Sequence, residues 1–180
     1  MKNTAFTRAQ HDFLRGDYGR AIMGFGTALE TGMDAARVHL PLGLAYFRNH
    51  DFMEAVAEFS RVLELRPDDD QVLFLRGMAR FNAGDEAGAV SDLTAALDAN
   101  PNRVAAYVGR SLANRSLGHD RAAEHDLQQA VTRGGVEVEL FLREYCLSPY
   151  LQHLGATLFD THKAAWGKTV QVGRGTATSQ

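Results

Sequence analysis

Seven histidines, one cysteine and a run of three aspartates are the residues of this chain whose types could support catalysis or metal binding. His11, His39, His50, His119, His125, His153 and His162 contain no His-x-x-x-His pair and do not cluster with Cys146, so the spacing that lets two imidazoles share a zinc ion on one helix face is missing. Cys146 falls in an apolar context on an expected helix, where a buried inert thiol outweighs a nucleophile, and a lone cysteine excludes an intramolecular disulfide. Asp68-Asp69-Asp70 lacks the glycine and distal glutamate of a calcium loop and is better explained as an acidic turn that caps a helix. Asn114-Arg115-Ser116 matches a glycosylation sequon but lies in an expected helix of a chain without a secretory signal. No glycine-rich phosphate loop follows a strand, and no nucleophile elbow is present. The chain is therefore expected to be non-enzymatic and to need no cofactor or metal.

The elements that would position any site repeat. From Asp70 to Pro101 two amphipathic helices fold back on each other: Leu73, Gly77 and Phe81 recur at helical spacing, then Ala89, Leu93, Ala96 and Leu97, with Asn82-Ala83-Gly84-Asp85 as the turn between them. Stepping by 34 residues joins Ala21, Ala55, Ala89 and Ala123, then Phe25, Phe59, Leu93 and Leu127, then Leu29, Leu63, Leu97 and Val131, then Ala9, Gly43, Gly77 and Ser111. The turn recurs at Gly16-Asp17, His50-Asp51, Gly84-Asp85 and Gly118-His119. A hairpin of this size cannot bury both faces alone, so neighbouring copies must cover one another.

On these residues the chain resembles the tetratricopeptide repeat family, whose period is 34 residues of helix-turn-helix. The resemblance spans residues 2–137 as four units and departs from the family pattern early in each first helix, where Ala5, His39, Leu73 and Tyr107 stand in place of a large aromatic. It implies an all-α, right-handed α-solenoid. Residues 138–166 are expected to form capping helices, one to Leu147 and one from Pro149 to about Trp166, because the last unit would otherwise leave an apolar face open. Residues 167–180 are expected to be a flexible or extended tail, in which Thr169-Val170-Gln171-Val172 alternates like a strand. Two local features add expectations. Pro41 should kink its helix if that helix begins at Asp34, and Gly134-Gly135 should stop the last helix of unit four.

The resemblance also implies a concave groove lined by the first helix of each unit. Its rows would be Phe6, Leu40, Phe74 and Val108; Gln10, Leu44, Met78 and Leu112; and Phe13, Phe47, Phe81 and Arg115, with Arg37, Arg48 and Arg115 as its few charges. Such a wall suits a peptide segment of another protein with apolar anchors and some acidic character, since aromatics bury large area and arginine offers forked donors. The family's clamp for a carboxylate terminus is not expected, because Phe6, Gln10, Pro41, Gln71 and Leu75 occupy its places.

Composition sets the outer bounds. A chain of 180 residues that is 45% hydrophobic and 23% charged can bury a substantial core, and a net charge of −3 gives no reason to expect nucleic acid as a partner. No run is long and apolar enough for a membrane span, and the first residues carry no signal-peptide core, which points to the cytoplasm unless the chain is a segment of an exported protein. The leading expectation is an adaptor that binds a partner peptide. A secretion-type chaperone and an assembly segment of a larger envelope or multidomain protein are the alternatives, and pairing of two copies stays open.

Overall fold

The computed structural model describes the backbone of residues 4–145 and the side chains of residues 4–133. These form eight helices: α1 Thr4–Leu14, α2 Tyr18–Glu30, α3 Ala35–Arg48, α4 Phe52–Leu65, α5 Asp70–Ala83, α6 Glu86–Ala99, α7 Val104–Ser116 and α8 Asp120–Tyr145. Each helix packs chiefly on the one before and the one after it, so the chain is a one-dimensional stack, an all-α solenoid of four hairpins.

The turn within each hairpin is set by one residue in the left-handed region. Gly16, His50, Gly84 and Gly118 have φ of 81°, 67°, 86° and 77°, and they occupy the same place in the four units. Glycine adopts this conformation freely; His50 is the one side chain there, and its ring stacks edge-on against Phe52 at 5.7 Å. Aspartates then start the next helices. Asp17, Asp34, Asp69 and Asp85 accept backbone N–H groups of α2, α3, α5 and α6. The aspartate run before α5 is thus a cap at Asp69, as expected from sequence.

Where the helices of a hairpin cross, one partner must be small. A Cβ added at Gly43 would lie 2.7 Å from the Phe59 ring, and one at Gly77 would lie 2.9 Å from Leu93 Cγ. Unit one inverts the arrangement: Ala9 supplies the larger group and Gly24 the gap, with a Cβ at Gly24 falling 2.8 Å from Ala9 Cβ. Gly24 costs α2 about 1 kcal/mol of helix propensity relative to alanine, and this close crossing is what it permits.

The apolar core falls into two clusters. One joins α1 and α2 to Val38, Leu42 and Ala45 of α3; the other runs from Phe47 through α4 to α8, and Tyr46 touches both. Burial raises the Tyr46 pKa, and the nearby carboxylates of Glu58, Glu54 and Asp51 raise it further, so its hydroxyl stays neutral well into the alkaline range.

Helix α3 begins after Asp34 and runs through Pro41, which costs one intrahelical hydrogen bond. The stop expected at Gly134-Gly135 is not there: α8 continues as one helix to Tyr145. Glycine ends a helix when its backbone turns to positive φ; otherwise it only weakens the helix by about 1 kcal/mol per residue. The expected helix from Pro149, the tail from Gly167, and Cys146, His153 and His162 lie outside the described residues.

Candidate functional site

The inner wall is built by the first helix of each unit, α1, α3, α5 and α7, and the structure divides the expected lining into a closed part and an open part. Phe47, Phe74, Met78, Phe81, Val108 and Leu112 are each at most 2% exposed, and Phe6 is 9% exposed. These seven are core residues rather than a contact surface, which corrects their assignment to a peptide-facing lining.

The reasons are local. Met78 turns into the slot left by a missing side chain, because a Cβ at Gly109 would lie 2.7 Å from its Sδ. Phe74 lies beneath the Arg103 guanidinium, 5.7 Å from ring centroid to Cζ. Phe6 packs edge-on against Phe25 at 5.4 Å. The third row closes three of the four hairpins across their own turns: Phe13 meets Tyr18 at 5.5 Å, Phe47 meets Phe52 at 5.6 Å, and in unit four the same pairing is ionic, Arg115 Nη1 to Asp120 Oδ1 at 3.4 Å. Arg115 is therefore partnered within its hairpin through Nη1, while its buried Nε has no partner among the described residues.

Among the described residues, an open part lies between α1 and α3. Gln10, Phe13, Leu14, Phe25, Pro41 and Leu44 line a cleft of about 180 Å³ that is mostly apolar. Phe13, Leu40 and Leu44 are half-buried, and Leu14 is 83% exposed. Arg37, Pro41, Leu44 and Arg48 follow one stripe of α3, so the two arginines stand at either end of the apolar floor. Arg37 is exposed and Arg48 half-buried. Leu14 was missed as a site residue. Its signal was a large aliphatic side chain at the last helical position before a Gly-Asp turn, where no core partner follows.

Polar contacts hold this wall rigid. Arg76 binds Asp92 through Nε and Nη2 at 2.8 and 2.7 Å and reaches back to Ser60 at 3.2 Å, while Arg80 meets the same carboxylate at 3.0 Å. One unit later Arg110 binds Asp126 in the same two-pronged way at 2.8 and 2.8 Å and reaches Thr94 at 3.0 Å. Each arginine thus ties its own hairpin together and staples it to the preceding one. The Asp126 carboxylate raises the Arg110 pKa, so the clasp stays charged. Unit two, with Leu42 in place of the arginine, satisfies its buried Glu58 differently: His39 Nδ1 lies 2.6 Å from Oε2, and Arg61 binds the other oxygen.

Asp70 is held by Asn100 Nδ2 at 2.9 Å and Arg103 Nε at 2.7 Å, tying the start of α5 to the α6–α7 turn. Burial pushes its pKa up, but the hydrogen bonds from Asn100 and Arg103 outweigh it and hold the carboxyl below the ordinary value. A depressed folded pKa contributes stability above the unfolded value of ~4, and this is lost as pH falls through the folded value. Urea unfolding of the native chain and Asp70→Asn is expected to show a stability difference that is constant above about pH 5 and shrinks below pH ~4. A difference that grows with acidity would be incompatible with this clamp.

Among the described residues no three His, Cys, Asp or Glu side chains converge as a metal site, and no helix is long and apolar enough to cross a membrane.

Comparison with known proteins agrees with this geometry. Among solved structures, one of MamA superposes with a TM-score of 0.72 at 17% identity, covering 98% of this chain and 96% of that one. A MamA fragment from Desulfovibrio magneticus RS-1 gives 0.69 at 16% identity, covering 73% and 76%. YrrB, described as a TPR protein with an unusual peptide-binding site, gives 0.69 at 20% identity, covering 74% and 70%. At these identities the likeness is one of fold. No curated protein sequence matches the chain. The family model described as tetratricopeptide repeat matches residues 6–70 and again 40–103, more than half of the chain in two overlapping registers of the observed hairpins. By its period, its helical hairpins and this match, the chain belongs to the tetratricopeptide repeat family.

Proposed function

We propose that this chain is a non-enzymatic interaction scaffold that holds a segment of a partner protein by seating one apolar side chain in the cleft between α1 and α3. The observation that carries this reading is the cleft itself: among the described residues it is an apolar part of the inner wall that stays open, while the Phe74, Met78, Val108 and Leu112 part is closed. A volume of about 180 Å³ suits a single leucyl or aromatic anchor, and burying such a side chain is worth about 2 kcal/mol. Arg37 gives the segment's acidic flank a forked donor at the rim. The peptide-binding description of YrrB, a protein of the same fold, supports the reading. The binding scaffold takes precedence over a chaperone role, because a chaperone that shields a long apolar segment needs a long apolar wall, and here that wall is largely core.

Affinity enrichment with mass spectrometry, run on the native chain and on Leu14→Asp/Leu44→Asp, tests it. Proteins retained by the native chain are expected to be lost from the variant, with helicity by circular dichroism unchanged because Leu14 is exposed and Leu44 packs only on the half-buried edge of the core. Equal retention by both chains would refute the cleft as the binding site.

A further inference from the structure

The first hairpin carries an arginine that has no carboxylate partner among the described residues. Stepping by one repeat from Arg76 and Arg110 leads back through Leu42 to Arg8, and stepping from Asp92 and Asp126 leads back through Glu58 to Gly24. In units three and four the arginine holds that carboxylate with two hydrogen bonds and takes a hydroxyl from the preceding hairpin as a third partner. Unit one keeps the arginine and lacks the acid. Among the described residues no carboxylate lies within ion-pair distance of Arg8, although Asp12 shares the same wall, and no described hairpin precedes it.

In place of the acid there is a cleft. Ala5, Arg8, Ala9 and Asp12 of α1 face Arg20, Met23, Gly24 and Thr27 of α2 across about 280 Å³, on the end of the stack rather than its inner wall. Arg20 pairs with Asp17 at 3.3 Å in solvent, a weak tie that leaves it available. The neighbouring surface is not built to receive an apolar helix. Thr4 and His11 stand exposed where the later units bury Val38, Val72 and Ala106 or Ala45, Ala79 and Ala113 against the preceding hairpin.

From this frame we infer that the α1–α2 end face docks an acidic helix of a partner protein, whose Asp or Glu carboxylate takes the place beside Arg8 that Asp92 and Asp126 fill beside Arg76 and Arg110. Charge decides the occupant. Arg8 and Arg20 outnumber the one carboxylate of the lining, Asp12, and exposed Thr4 and His11 stand where an apolar face extending the solenoid would have to pack. This surface is separate from the α1–α3 cleft, so a partner can use it whether or not that cleft is filled.

The test uses the full chain, 15N-labelled, titrated with an acetylated and amidated alanine-based helical peptide bearing glutamates on one face, and with its glutamine counterpart. Saturable shifts of the Arg8 Nε–Hε signal and of the Gly24 and Thr27 amides are expected with the glutamate peptide alone. The Arg76 and Arg110 signals should stay fixed. In Arg8→Gln the dissociation constant is expected to rise about tenfold, corresponding to the loss of one charge-assisted pair. Arg8 is exposed, so this variant keeps its fold. Equal shifts with the glutamine peptide, unchanged affinity in Arg8→Gln, or shifts centred on the α1–α3 cleft would each overturn the inference. So would concentration-dependent shifts without peptide, which would assign the face to a second copy of this chain.

Discussion

Replacing Phe81 with alanine is expected to lower the unfolding free energy by about 3–5 kcal/mol, the cost of removing a buried phenyl ring and leaving its cavity behind. Phe81 is 1% exposed and belongs to the large apolar cluster that spans α4 to α8. Its place on the first helix of unit three would equally suit a contact residue on the inner wall, and the two roles predict different outcomes. A contact residue would lose partner capture while the melting transition stayed in place. A core residue loses the transition itself, and any loss of capture follows from that. Urea denaturation monitored by circular dichroism separates the two, and Phe47→Ala should behave in the same way because its ring is sealed against Phe52. A transition within about 1 kcal/mol of the native one would put Phe81 back on the surface, since substitutions outside the core seldom cost more than that.

Asp92→Ala is expected to cost about 3 kcal/mol, because it strips the carboxylate from two arginines that α5 holds against it. The Asp92 side chain is 5% exposed and meets both Arg76 and Arg80. Removing one member of such a group leaves positive charge in a poorly solvated place, which costs more than the intact group contributes net. The double replacement Arg76→Met/Asp92→Leu should therefore recover a large part of the loss, although Arg80 would still face the altered site. A double variant less stable than Asp92→Ala alone would show that the clasp contributes through something other than charge balance. The equivalent experiment at Asp126 should give a similar result, since Arg110 repeats the geometry one hairpin later.

The repeat was legible because it rests on residue size and backbone conformation, which sequence carries directly. Ala9, Gly43 and Gly77 mark helix crossings, and Gly16, Gly84 and Gly118 mark left-handed turns; His50 was found only because it fell in the same frame. Which apolar row faces a guest was not legible. The first helix of a unit is flanked by helices of its own and the neighbouring units, so its apolar arc is wide, and a period of 3.6 cannot separate side chains wedged between helices from those facing the concavity. Met78 illustrates this: its direction depends on Gly109, a residue of the next hairpin. Phe13 and Phe47 illustrate a second limit, since their stacking on Tyr18 and Phe52 depends on the turn geometry that brings the two helices together. The arginine clasps were present in the sequence as Arg76 with Asp92 and Arg110 with Asp126, each pair 16 residues apart, and a search of the charged positions at the repeat spacing would have found them.

Where the inner wall is open can be read with a probe no larger than a side chain. In the full chain with 13C-labelled leucine and methionine methyl groups, titration with p-cresol and with indole should shift Leu14 and Leu44 and leave Met78 and Leu112 in place, because the first pair borders the α1–α3 cleft and the second is sealed. Shifts concentrated on Met78 and Leu112, with Leu14 and Leu44 silent, would contradict that division and move the recognition surface to the carboxy-terminal half of the stack.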